Sequence, residues 1–174
     1  MSKVSSRENA ALQEPRFRSL LIVCAANTAR SVMAEHMLRR ELGARGLDQY
    51  ILVKSAGIAP YARDGSLVSL DTRMALREDG IDIGDEATSI DLKRHPELLE
   101  EADLIIAMTD QQRSELGVKF PGASGRPVYT LREFAGEIGD IEDPYEKGDE
   151  VFAACRDEIK RLLPRIVDRI VAGG

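Results

Sequence analysis

Between Phe17 and Leu42 the hydrophobic pattern changes period once, from a continuous apolar run to helical spacing. Phe17 to Val23 ends in the run LLIV, which suits a strand buried on both faces. From Ser31 onward Ala34, Met37, Leu38 and Leu42 recur at helical intervals up to the break at Gly43. The same switch recurs downstream. Tyr50 to Val53 predicts a second strand, Ser69 to Arg77 a helix ended by Gly80, and Asp103 to Met108 a third strand. Thr109 predicts an N-cap for a short helix through Leu116, and Pro127 to Leu131 a fourth strand. Phe152, Cys155, Ile159, Leu162, Leu163, Ile166 and Ile170 stripe a long final helix, expected to bend or break at Pro164. Strands alternating with helices imply an α/β fold, a mainly parallel sheet covered by helices on both faces, with ligands bound beyond the carboxyl ends of the strands.

The 174 residues suit one domain around one core. Residues 1–16 are polar, lack periodicity and contain Pro15, so a flexible extension is expected there, with a single domain over 17–174. The net charge of −6 argues against non-specific nucleic-acid binding, which rests on neutralising phosphates with Lys and Arg. The apolar stretch from Leu20 to Ala26 is too short to cross a membrane. Cys24 and Cys155 are the only cysteines, and the charged N-terminus lacks the apolar core of a signal peptide, so a reducing cytoplasm is the expectation; the oligomeric state stays open, with a monomer favoured. No Cys/His spacing around His36 or His95 resembles a metal site, so neither metal nor cofactor is expected.

The residues able to do chemistry lie at the end of the first strand, in VCAANTARS from Val23 to Ser31. A cysteine followed six residues later by an arginine means little alone, because Cys155 and Arg161 repeat that spacing inside the final helix, where Cys155 reads as core. Around Cys24 the context differs. Ala25, Ala26, Thr28 and Ala29 are small enough for the backbone to curl, and the helix that follows points its N-terminus into the loop. Backbone N–H groups and the Arg30 guanidinium can then hold phosphate oxygens, and the same positive surroundings favour a thiolate nucleophile at Cys24. The bland alternative is a buried strand-end cysteine beside a helical arginine.

Val23 to Glu35, VCAANTARSVMAE, resembles the signature of the low-molecular-weight protein tyrosine phosphatases. Ser55 to Ile58 (SAGI), Ala102 to Thr109 (ADLIIAMT) and Asp143 to Tyr145 (DPY) follow in that family's order, so the resemblance covers about residues 17–172. Asn27-Thr28 in the loop, a single aromatic after Asp-Pro and the stretch Tyr129 to Gly136 are similar to the bacterial protein arginine phosphatases. The resemblance implies a four-stranded parallel sheet and metal-free, two-step hydrolysis of phosphorylated proteins. By it, Cys24 attacks phosphorus while Arg30 and the loop amides of Ala25, Ala26, Asn27, Thr28, Ala29 and Ser31 hold its oxygens. Asn27 and Ser55 brace the loop, Ser31 steadies the thiolate, and Asp143 serves as general acid and then base. Tyr145 either lines the mouth of the site or caps the core.

Four positions depart from the family pattern, one of them Val32, which replaces a proline at the helix start that a helix favours but does not require. Ala26 replaces a glycine and would be strained if the position needs a positive φ. Ala29 replaces a second cysteine, which removes an intraloop disulfide, and Asp79 stands where some members carry a histidine that supports the loop. The readings left open are a phosphoarginine phosphatase, a phosphotyrosine phosphatase, an arsenate reductase needing a further cysteine pair, and a phosphate-binding module without turnover.

Overall fold

The structure, a computed structural model, describes residues 15–172, so the extension expected over 1–16 falls almost wholly outside the described residues. Arg16, the last residue of that extension, donates its backbone N–H to the Ile170 carbonyl at 2.8 Å. In chain order the elements are β1 (Ser19–Cys24), α1 (Arg30–Ala44), β2 (Leu52–Gly57), α2 (Leu70–Glu78), α3 (Glu97–Glu101), β3 (Leu104–Ala107), α4 (Asp110–Lys119), β4 (Val128–Thr130), α5 (Leu131–Phe134) and α6 (Asp149–Val171).

The four strands form one sheet in the order β2-β1-β3-β4, and every pairing is parallel. Alternation along β1 divides the core. Leu20, Ile22 and Cys24 face one side with Met33, Met37 and Ile166, whereas Leu21 and Val23 face the other with Leu92, Leu99, Leu116 and Phe120. A strand buried on both faces needs an apolar residue at every position, which is why β1 reads as a continuous run. The chain leaves β1 for β2 on one side and then crosses to β3 on the other, so the carboxyl end of β1 is a topological switch point, where open α/β sheets bind ligands.

Several boundaries differ from the sequence reading. The second strand lies at 52–57 and not 50–53: Tyr50 is exposed, while Lys54 to Gly57 pair with Leu21 to Cys24 of β1 and so stay extended. Leu131 leaves β4 and opens α5, because Thr130 and Glu133 close a reciprocal capping box. Residues 97–101 form a short helix that is not among the expected elements. Thr109 caps α4 as expected, accepting from the Gln112 N–H.

Pro164 does not interrupt α6, which runs unbroken from Asp149 to Val171. An internal proline costs about 3 kcal/mol through its missing N–H and ring clash. Here Pro164 and Lys160, whose carbonyl loses that bond, are both exposed to water. Ile159, Leu162, Leu163, Ile166 and Val167 are buried on the opposite side, and burying such side chains contributes roughly 1.5–3 kcal/mol each. Packing outweighs the local defect.

Candidate active site

Cys24 ends β1 and Arg30 opens α1, so Ala25 to Ala29 form the whole connection. Such a short link turns back on itself through one left-handed residue, Asn27, at φ 59°. Asparagine tolerates that conformation better than most side chains. Ala26 does not have a positive φ; among described non-glycine residues only Asn27 and Glu146 do, so the strain anticipated at Ala26 is absent. The Cys24 and Ala25 carbonyls accept from the Ile58 and Ala59 N–H groups at 3.0 Å, which fixes the outer edge of the loop to the chain leaving β2. The N–H groups of Ala25 to Ala29 find no acceptor among the described residues. Unpaired amides in a curled loop at a helix N-terminus are the physical definition of an anion cradle.

Behind the loop runs a chain of buried polar contacts. The Asn27 side-chain amide donates to Ser31 Oγ at 2.8 Å and to Ser55 Oγ at 2.9 Å, and its Oδ1 accepts from the Ile90 N–H at 2.9 Å. The Ser55 hydroxyl donates to Glu35 Oε1 at 2.7 Å. Ser31 Oγ lies 2.9 Å from Cys24 Sγ. Asn27 donates to this oxygen, and the Ser31 hydroxyl proton is available to the sulfur, an arrangement that would suit a thiolate. The network is satisfied at every member, so it makes the loop rigid.

The far side of the site comes from the C-terminal third of the chain. Arg30 is buried, and its Nη1 donates to the Ile141 carbonyl at 2.8 Å while Nη2 lies 3.7 Å from Asp143 Oδ2. Ile141 is in turn held by its N–H on the Met108 carbonyl just past β3. The Asp143 side chain is half exposed and accepts from the Tyr145 N–H at 3.1 Å, an Asx turn that aims the carboxylate over the cavity. Cys24, Ala25, Ala26, Thr28, Ala29, Arg30, Asp143 and Tyr145 all border one cavity of about 420 Å³. Tyr145 therefore lines the mouth and does not cap the core; it is 65% exposed. Asn27, Ser31 and Ser55 sit behind the cavity, where their side chains brace it. Cys155 is core, as expected, and burial pushes its thiol up to about 11. Asp79 pairs with Arg40 and Lys160 and makes no contact with the loop. Among the described residues no group of three or more His, Cys, Asp or Glu could hold a metal ion.

Five residues of the site escaped the sequence reading. Glu35 carries the polar chain behind the cysteine on to Arg39, whose Nη1 lies 3.1 Å from Glu35 Oε2, and Tyr61, Ser69 and Phe152 complete the cavity wall. Gly57 lies opposite Cys24 across the sheet, where a Cβ would stand 2.8 Å from both the Ala25 oxygen and the Ala26 carbonyl carbon. Only glycine admits the loop so close to β2. The signal was there in the case of Gly57, as the third residue of SAGI.

A parallel α/β sheet whose switch point holds a cysteine, an anion cradle, a buried arginine and an opposed carboxylate defines a cysteine-dependent phosphatase. The model of the family described as low molecular weight phosphotyrosine protein phosphatase matches residues 19–172, and the chain belongs to that family. It is a hydrolase that acts on phosphorylated proteins. A protein-arginine-phosphatase of Geobacillus stearothermophilus is 34% identical over 152 residues, 87% of this chain and 95% of that protein. A low molecular weight protein tyrosine phosphatase of T. tengcongensis is 32% identical, with TM-score 0.78 over 87% of this chain and 99% of that one. A structure of the YwlE arginine phosphatase, in a mutant form whose active-site serine is phosphorylated, is 31% identical, with TM-score 0.77 over 87% of this chain and 94% of that one.

Proposed function

We propose that this protein hydrolyses phosphoarginine in proteins, with Cys24 as nucleophile, Arg30 and the loop amides as the oxyanion clamp, and Asp143 as general acid and base. In the first step the Cys24 sulfur attacks phosphorus in line, the bond from phosphorus to the substrate nitrogen breaks, and Asp143 gives that nitrogen its proton. In the second, water attacks the cysteinyl phosphate, Asp143 takes the water's proton, and the sulfur leaves as a thiolate that the Ser31 hydroxyl stabilises. The phosphorylated serine in the YwlE mutant supports a covalent intermediate at the loop nucleophile. Asn27 and Ser55 act by holding the loop.

The observation that carries the choice of phosphoarginine is Thr28, which borders the cavity between Cys24 and Arg30. A short hydroxyl side chain leaves room for a planar guanidinium and offers it a hydrogen bond, where an aliphatic residue would favour a phenyl ring. The arginine phosphatase from Geobacillus stearothermophilus supports the same choice. Turnover of matched phosphoarginine and phosphotyrosine peptides tests it: the first should be preferred. Thr28→Ile should shift the ratio of kcat/KM values toward phosphotyrosine by about tenfold to a hundredfold, the scale of one exchanged polar contact. Equal loss on both peptides would make Thr28 a packing residue and leave phosphotyrosine as the reading.

The catalytic unit spans residues 17–174 in this proposal and works as a monomer in the cytoplasm, without nucleic acid or membrane. Its two free cysteines and the need for a reduced nucleophile suit that compartment, and the net charge of −6 disfavours nucleic acid. Cys155 lies in the core with its thiol protonated, which disfavours arsenate reduction by a second thiol.

A further inference from the structure

The start of α2 touches the catalytic loop in an unusual way. Ser69 is the N-cap of α2, and its Oγ accepts from the Thr72 N–H at 3.2 Å. In a capping box the side chain of the third helical residue would return to the N-cap backbone N–H. Here that third residue is Thr72, and it does not return. The Ser69 N–H donates to the Thr28 carbonyl at 3.3 Å, and the fully buried Thr72 hydroxyl donates to the same oxygen at 2.9 Å. The Ser69 hydroxyl is 2.6 Å from Thr72 Oγ1 and 3.2 Å from the Thr28 carbonyl, so its proton supports one or the other. The loop carbonyl thus takes the place of the missing glutamate, and α2 is capped by the catalytic loop.

A peptide group is planar, with its C=O and the next N–H pointing in opposite directions. Pinning the Thr28 oxygen toward α2 therefore turns the Ala29 N–H the other way, away from α2, and that N–H has no acceptor among the described residues. Thr28 and Ala29 both border the cavity. We infer that Ser69 and Thr72 are positioning residues, which hold the Thr28–Ala29 peptide so that the Ala29 N–H binds a substrate phosphoryl oxygen. The inference rests on the phosphatase reading of the loop but concerns residues outside it. With the clamp released, this peptide can rotate and present its carbonyl oxygen to the anion.

The test uses the full chain and inorganic phosphate as probe. Phosphate should shift the Ala29 backbone amide resonance strongly in the unaltered protein. Thr72→Val, which keeps the shape and deletes the hydroxyl, should weaken phosphate binding by about tenfold and abolish that shift, while Thr72→Ser should restore both. Ser69→Ala should give a smaller loss, since Thr72 still reaches the carbonyl. A purely structural role would lower the melting temperature without moving phosphate affinity. Wild-type affinity in Thr72→Val, failure of Thr72→Ser to rescue, or an Ala29 amide that phosphate leaves unmoved in the unaltered protein would overturn the inference; the last readout needs no variant to fold. Failure of the functional reading would instead show as absence of turnover of either phosphopeptide by the unaltered protein, with the phosphate titration unaffected.

Discussion

Replacing Gly57 by alanine tests how tightly the catalytic loop is packed on the sheet. The new Cβ would lie 2.8 Å from the Ala25 oxygen and the Ala26 carbonyl carbon and 3.0 Å from Ala62 Cβ. The two backbone contacts are about 0.7–1.2 Å inside the 3.5–4.0 Å optimum for carbon, and a neighbouring backbone cannot swing aside as a flexible side chain would. On the β2 side, the Gly57 N–H is bound to the Ile90 carbonyl and its Cα is in register with Cys24, so the displacement falls on the loop. Overpacking of this kind costs roughly 1–3 kcal/mol, and the backbone gain of glycine to alanine offsets about 0.5–1 kcal/mol of it. Net destabilisation should be up to about 2.5 kcal/mol by urea unfolding. The catalytic effect should be larger, because a displacement near 1 Å costs about a hundredfold in rate. The measurement is kcat/KM on a phosphopeptide together with inhibition by inorganic phosphate, and both should weaken. Gly117→Ala on α4 is the control: its Cβ meets nothing within 4 Å, and it should leave activity intact and stabilise by about 0.5–1 kcal/mol. Gly57→Ala with wild-type turnover and phosphate affinity would refute the reasoning.

Asp143→Asn should slow turnover by about a hundredfold or more on substrates with poor leaving groups and by less on activated aryl phosphates; equal, negligible losses would assign Asp143 to a turn. Iodoacetamide at pH 8 should label Cys24, which lines the cavity, and spare Cys155, whose thiol burial pushes up to about 11. Rapid double labelling of the folded protein, read by mass spectrometry, would contradict that placement. The hydrogen bonds of His95 to Asp64 and then Glu97 favour its charged form and raise its pKa above the usual 6.5. A raised pKa contributes stability below the unfolded value that is lost as pH rises through the folded one. The melting-temperature advantage of the native protein over His95→Gln should therefore be largest below pH 6.5 and shrink above it; growth of the advantage with pH would refute the assignment.

What the sequence determined by itself was the unit from Phe17 to Leu42. Its strand, curled loop and helix are neighbours along the chain, and each is specified by period, small residues or a helix terminus. That unit placed Cys24, Arg30, Ser31 and the loop amides, and the alternation beyond it fixed the parallel sheet. Asp143 and Ser55 were reached through family order alone, since an Asp-Pro turn and a strand serine carry no local sign of what they face. Tertiary structure decided the rest. Pro164 stays in α6 because buried neighbours on either side outweigh a local defect. Gly57 is required because strand register sets it against the loop. Glu35, Ser69, Thr72 and Phe152 join the site because the sheet brings distant segments to one edge. A side chain's partners across a sheet depend on which strands pair and in what register, and the long-range burial of apolar surface chooses that pairing.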